Sequence, residues 1–137
     1  MSVEFCDTNI VIYAYDVTAA DKHLAAKELL SRLWRKGNGA VSVQVLQELF
    51  VTLTRKLPLP LPWEKARGIV ADLASWHTVA PDGPSVLAAI DLAAQHHLSF
   101  WDAMIVTAAQ KAGADVLWTE DLNAGQNFGG VAVSNPF

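Results

Sequence analysis

The chain has 137 residues, 52 % of them from the set AVILMFWYC and 18 % charged, with ten Lys and Arg against fourteen Asp and Glu. This length suits one domain spanning 1–137, and the composition excludes a disordered chain, which needs the opposite balance of apolar and charged residues. Cys6 is the only cysteine, which excludes a disulfide scaffold and suggests a buried thiol in a reducing compartment. No uncharged apolar run approaches the ~18–20 residues of a membrane span. Met1-Ser2-Val3-Glu4 lacks the basic region of a secretory signal, so the expectation is a soluble cytoplasmic protein without a membrane partner. The net charge of −4 argues against a non-specific nucleic-acid binder. Setting four acids aside for a metal would nevertheless leave ten against ten, so a local, metal-assisted nucleic-acid site stays open.

In chain order, Ser2 to Cys6 reads as a short strand ending at Asp7, with Val3 and Phe5 on one face. Residues 8–17 read as a short helix, despite the β-branched run that weakens it. Asp21 opens an amphipathic helix with Leu24, Ala25, Leu29, Leu30 and Leu33 inside and Lys22, Lys27, Arg32 and Arg35 outside; Gly37-Asn38-Gly39 stops it. Ala40-Val41 forms a brief strand, and Ser42 suits the N-cap of a helix reaching about Lys56. The connector Leu57-Pro58-Leu59-Pro60-Leu61-Pro62 is too proline-rich for a helix or central strand and too short for a domain linker. A helix follows from Trp63 to Ala74, then a strand from Trp76 to Val79 and a turn at Pro81-Asp82-Gly83-Pro84. Helices at about 85–97 and 100–112, a strand from Asp115 to Thr119, a loop from Glu120 to Gly130 and a strand from Val131 to Val133 complete the chain. Strands alternating with helices predict an α/β sandwich, a mainly parallel central sheet flanked by helices, with sites beyond the carboxyl ends of the strands.

Four acids stand where such a site would form. Asp7 ends the first strand, where it could equally cap the next helix. Asp121 lies just past the strand 115–119, where it could be a solvated turn residue. Asp102 has capping-box spacing from Ser99, yet its helical neighbours are Ile105, Val106 and Ala109. A carboxylate on so apolar a face must cap, pair or bind a cation. Glu48 lies opposite the stripe of Leu46, Leu49, Phe50, Leu53 and Leu57, together with Gln44, Thr52 and Arg55, and by periodicity alone it is a solvated residue. Carboxylates without Cys or His partners suit hard Mg²⁺ or Mn²⁺, and such ions serve phosphoryl transfer. Zinc has no case, because His96 and His97 diverge on a helix and His23 and His77 are isolated.

The sequence resembles the PIN-domain ribonucleases, specifically the VapC-type toxins of toxin–antitoxin pairs. The resemblance runs from Phe5-Cys6-Asp7-Thr8-Asn9-Ile10 through Ser42-Val43-Gln44-Val45-Leu46-Gln47-Glu48 and Ser99-Phe100-Trp101-Asp102-Ala103-Met104-Ile105 to Trp118-Thr119-Glu120-Asp121-Leu122, and extends to the ending Val133-Ser134-Asn135-Pro136-Phe137. It implies a PIN-like fold and a metal-dependent endoribonuclease whose acidic site is Asp7, Glu48, Asp102 and Asp121. Asp7 and Asp102 would hold the principal Mg²⁺, and Mn²⁺ is an alternative. Thr8, Asn9 and Thr119 would support them, and Glu120 would either do so or contend with Asp121 for the fourth role. For Glu48 the resemblance overrides periodicity.

It further implies an RNA substrate, an antitoxin partner and a homodimer, and the apolar content, five Trp and the Leu57–Pro62 strip fit self-association. Lys22, Arg32, Arg35, Lys36 and Arg55 are candidates for guiding an RNA backbone, Arg55 because it shares Glu48's face. Two rival readings stay open: a PIN-like binding module without catalysis, and another acid-cluster phosphoryl enzyme. Of the latter, a haloacid-dehalogenase-like phosphatase wants a second Asp where this chain has Asn9. A receiver domain wants a Lys that does not follow Val116-Leu117-Trp118.

Overall fold

The computed structural model describes residues 2–137. Six strands, β1 (Val3–Cys6), β2 (Gly39–Ser42), β3 (His77–Val79), β4 (Ala114–Trp118), β5 (Asn127–Phe128) and β6 (Val131–Ser134), form one sheet in the order β3-β2-β1-β4-β6-β5. All pairings are parallel except β5 with β6. Glu4, Phe5 and Cys6 are all buried, as a central strand covered on both faces requires. Burial also pushes the Cys6 thiol well above its ordinary pKa, so it stays protonated and inert.

The helices are α1 (Thr8–Tyr13), α2 (Asp21–Lys36), α3 (Val43–Arg55), α4 (Trp63–Ala74), α5 (Gly83–His96) and α6 (Phe100–Lys111), with one 3₁₀ turn at Val17–Ala19. Three of their starts are caps visible in the sequence. Asp7 Oδ1 accepts from the Thr8 N–H at 2.7 Å, Ser42 Oγ from the Val45 N–H at 3.3 Å, and Ser99 Oγ from the Asp102 N–H at 3.1 Å. The main core joins Phe5, Ile10 and Val11 to Leu33, Val45, Leu49, Leu53, Leu73, Val106 and Leu117. A satellite of Ala89, Ala103 and Met104 lies between α5 and α6. Gly39 opens β2 where the Trp76 indole occupies the space a β-carbon would need. Among the described residues no helix is long and apolar enough to cross a membrane.

Several expectations change. The helix proposed for 8–17 stops at Tyr13 and resumes only as the 3₁₀ turn. The expected turn 81–84 is the start of α5: Asp82 Oδ1 accepts from the Ser85 N–H at 2.9 Å, and Pro84 sits in the first turn, where its missing N–H costs nothing. The expected loop 120–130 contains β5, which reverses into β6 through Gly129 and Gly130 at φ +60° and +100°, a two-residue hairpin turn needing left-handed backbone at both positions. Leu24, expected inside, is 64 % exposed, because it lies on the opposite side of α2 from Leu33; Ala26, in phase with Leu29, Leu30 and Leu33, is buried instead. Arg32, expected outside, leans back onto β1, where it forms a two-pronged pair with Glu4 at 3.0 and 3.1 Å.

Candidate active site

Chain order in the sheet reverses direction at β1: β2 and β3 continue to one side, and the chain then crosses to place β4 on the other. Parallel strands diverge at such a switch point, leaving a crevice at their carboxyl ends. Asp7 follows β1 and Thr119 follows β4, and the two ends are tied together. The Asp7 N–H donates to the Trp118 carbonyl at 2.9 Å, and the Thr119 hydroxyl donates to Asp7 Oδ2 at 2.8 Å. Thr119 Oγ1 in turn accepts from the Asp121 N–H at 3.1 Å. One buried threonine therefore sets the spacing of two acids.

The other walls are helical. Ser42 caps α3 directly after β2, which turns the Gln44, Glu48 and Thr52 face toward the crevice, and Thr8 Oγ1 donates to Glu48 Oε1 at 3.2 Å. Ser99 caps α6 and brings Asp102 in from its first turn. Asp7, Glu48, Asp102 and Asp121 thus line a single cleft of about 210 Å³, with Thr8, Asn9, Ile12, Gln44, Thr52, Trp101 and Ile105. Glu48 faces this cleft rather than bulk solvent, against what periodicity alone suggests.

Burial pushes the Asp7 carboxyl up to about 7; Thr119 and Thr8 oppose the rise and the charges of Asp121 and Glu48 add to it. The Asp121 carboxyl is also raised, by partial burial and then by Asp102 and Glu120, with Asn9 pulling the other way. The buried Oδ1 of Asn9 accepts no hydrogen bond. Among the described residues no three carboxylate, imidazole or thiol groups close up into a ready-made metal cage. The four acids come from different parts of the chain and share the lining of one cleft. A hard cation fits this set: the lining donors are oxygens, Asp7 is buried with its charge uncompensated, and an orphaned amide oxygen adjoins it.

Glu120 does not line the cleft. It lies in the bend after β4 and turns to α1 and α2. Tyr13 Oη donates to its Oε1 at 2.6 Å and Lys22 Nζ to its Oε2 at 2.8 Å. Burial works against its charge, but Lys22 and Tyr13 outweigh it and hold the carboxyl below its usual pKa. Lys22 also lies over the rings of Tyr13 and Phe137, which meet edge to face at 5.2 Å. This clasp fastens the segment carrying Asp121 to α1, α2 and the residue Phe137.

Of the basic candidates, Lys22 is committed to Glu120 and Arg32 to Glu4. Arg35 borders a separate recess with Arg32, Trp118 and Pro136, and Lys36 and Arg55 are exposed. Several residues of the cleft drew no functional reading from the sequence, Trp101 and Gln44 among them. Their signal, position beside Asp102 and one turn before Glu48, gains meaning only once the acids are known to converge.

A crevice at the switch point of a parallel sheet, lined among the described residues by four carboxylates and no sulfur or imidazole, defines the class: an α/β domain with an acidic site. The PIN domain family matches residues 5–126, and the chain belongs to that family. The rival readings on other folds fall with this match. Among solved structures the chain is similar to a toxin–antitoxin complex from Klebsiella pneumoniae, at 20 % identity over 99 % of this chain and 98 % of that one, with a TM-score of 0.71. It is similar to a DNA-bound VapBC from Salmonella typhimurium, at 17 % identity over the whole of both chains, with a TM-score of 0.71. A third is VapC20 of Mycobacterium tuberculosis, a Sarcin-Ricin loop cleaving toxin, at 21 % identity over 83 % and 86 % of the two chains, with a TM-score of 0.64. At these identities the likeness is one of fold. No curated protein sequence matches the chain.

Proposed function

We propose that this protein is a Mg²⁺-dependent endoribonuclease, the toxin component of a VapBC-type toxin–antitoxin pair, with RNA as substrate, an antitoxin as partner and a homodimer as its own assembly. The observation that carries the reading is the meeting of Asp7, Glu48, Asp102 and Asp121 in one cleft at the switch point of a PIN domain. Membership of the family and the toxin–antitoxin proteins among its structural relatives support the biological half.

These four acids would hold the ion, and Mn²⁺ suits the same oxygens. When bound, it supplies a lowered pKa for water and charge neutralisation at the scissile phosphate. The protein's own groups do the rest. The Thr8 N–H and the Thr119 hydroxyl fix both oxygens of Asp7, so the carboxylate is oriented before any ligand arrives. Thr8 Oγ1 holds Glu48, and Thr119 Oγ1 fixes the backbone of Asp121. Among the described residues no Ser, Cys or His lines the cleft, and in this reading the nucleophile is water, attacking phosphorus in line with the departing 3′ oxygen.

Mapping of cleavage sites on total cellular RNA, with Mg²⁺ and with EDTA, tests the reading. Cuts that need Mg²⁺ or Mn²⁺ and leave 5′-phosphate and 3′-hydroxyl ends are expected. Full activity in EDTA with cyclic phosphate ends would overturn it.

A further inference from the structure

The cleft has a chemical gap that its acids do not fill. Its lining contains four carboxylates and no Lys, Arg or His. A phosphodiester strand entering it gains no Coulomb attraction from the lining side chains; the cation held by the acids would meet the scissile phosphate alone. Affinity for the adjoining nucleotide is left to neutral contacts.

Trp101 offers one. It is the second residue of α6, immediately before Asp102, and it lines the cleft with the acids while remaining 64 % exposed. An indole so exposed contributes little to the core, and its exposure is a standing cost in water. Its base is nevertheless fixed. Phe100, packed against the satellite core, meets the ring edge to face at 5.0 Å and 73°, and the Gln44 amide reaches the Trp101 carbonyl at 3.5 Å. Two other exposed tryptophans, Trp34 and Trp63, pack edge-on against Trp76 and Phe50, and neither lines the cleft. A rigid, open aromatic face beside a negatively charged reaction centre suits a nucleobase, because every base presents a π-face and stacking is indifferent to charge.

We propose that Trp101 is a stacking platform for an unpaired nucleobase of the RNA next to the scissile phosphate, with the Gln44 amide beside it to meet the base edge. This rests on the ribonuclease reading and deepens it: the substrate must be single-stranded or looped there, since a base inside a duplex stacks only on its neighbours. Trp101 is thus a binding and specificity residue, distinct from the acids that do the chemistry.

The test uses Asp7→Asn protein, in which loss of a metal-holding acid should stop cutting, with Trp101 intact or changed to Phe or Ala. The probe is a fluorescein-labelled single-stranded RNA oligonucleotide, alone or annealed to its complement. Trp101→Ala should weaken single-strand binding roughly ten- to hundred-fold, the scale of one lost stacking contact, and Trp101→Phe far less. Duplex binding should be weak in all three. In the otherwise native protein, Trp101→Ala should raise KM with kcat nearly unchanged. Equal single-strand affinity for Trp101 and Trp101→Ala overturns the platform, as does a change of oligomeric state by light scattering with RNA affinity untouched, which would assign the ring to a protein contact. If native protein cuts RNA and Trp101→Ala leaves KM unaltered, the platform fails while the ribonuclease reading stands. If native protein neither binds nor cuts RNA, both fall.

Discussion

Glu4 and Asp7 stand three residues apart at β1, both are buried, at 8 % and 6 % exposure, and the protein treats their charges in opposite ways. Glu4 accepts from both terminal nitrogens of Arg32, from the Trp118 indole at 2.8 Å and from the Asn38 amide at 3.2 Å. The Arg32 hydrogen bonds, helped by Trp118 and Asn38 and opposed by burial, hold its carboxyl below the usual range. Asp7 accepts only from two neutral threonine groups and faces Glu48, Asp102 and Asp121 across a cleft without cations, and its carboxyl rises to about 7. A carboxylate neutralised from within holds a fold together. One left uncompensated, at a cost, is kept for something that comes from outside.

The comparison breaks first on catalysis. EDTA should abolish RNA cleavage, and Asp7→Asn, Glu48→Gln or Asp102→Asn should each lower kcat in Mg²⁺ by at least ~10²-fold, because each acid helps fix the ion. Glu4→Gln should leave kcat within a few-fold of native in folded protein. A Glu4→Gln loss equal to that of Asp7→Asn would erase the distinction.

Stability against pH separates the two acids by sign. Asp7's folded pKa lies above its unfolded value near 3.8, so its contribution is fully present below that value and lost as pH rises through about 7. Above neutrality the metal-free protein should carry a penalty of roughly 4 kcal/mol. Asp7→Asn, which keeps the helix cap, should melt higher than native protein in EDTA at pH 8, whereas Mg²⁺ at a hundred times its Kd should stabilise native protein by about 2.7 kcal/mol and the variant by less. Glu4 works the other way: its folded pKa is depressed, so its contribution is present above about 4.5 and lost as pH falls through the folded value. Melts at pH 3 to 8 in EDTA should therefore fall at both ends, the alkaline fall vanishing in Asp7→Asn and the acid fall shrinking in Glu4→Gln. A lower melting point for Asp7→Asn than for native protein in EDTA would leave Asp7 as no more than a helix cap.

Removing one partner of the Glu4 network should cost less than a fully buried ion pair, since the Arg32 side chain is 33 % exposed. Urea unfolding of Glu4→Gln near pH 7 should show a loss of about 1–3 kcal/mol. The smallest effect belongs to the clasp on Glu120. Tyr13→Phe removes a single hydroxyl donor, worth about 1 kcal/mol, and should weaken Mg²⁺ binding by less than ten-fold in calorimetry through a looser Asp121. A loss as large as that of Asp102→Asn would make Glu120 a ligand after all.

What could be read from the sequence was mostly what is local. The caps at Asp7, Ser42 and Ser99 need only residues a few positions apart, and the alternation of strands and helices follows from spacing. The side chains misjudged were those whose partners come from far along the chain. Arg32 pairs with Glu4 across 28 residues, and Glu120 with Tyr13 across 107, and no periodicity reports such meetings. Leu24, by contrast, was misjudged locally: it stands on the opposite side of α2 from Leu33, and the 3.6-residue period places Ala26 on the stripe in its stead. One further miss had a usable signal, the Gly129-Gly130 pair for the β5–β6 hairpin. Glu48 became legible only by resemblance, since solvent and a cleft look alike in a hydrophobic pattern.

The central position of β1 sets a clock on synthesis. Its first neighbour, β2, is made soon after it, but its second, β4, comes more than a hundred residues later and brings Thr119 and Asp121. At a ribosomal rate of ~5–20 residues per second, on the order of ten seconds separate Asp7 from the groups that position it. Until then the cleft lacks Asp121 and the Thr119 hydroxyl that orients Asp7. A chain interrupted before β4 carries Asp7, Glu48 and Asp102 but no strand to close the crevice between them. In this order the four acids cannot share one crevice before β4 has been made, so the site is completed long after its first acid leaves the tunnel.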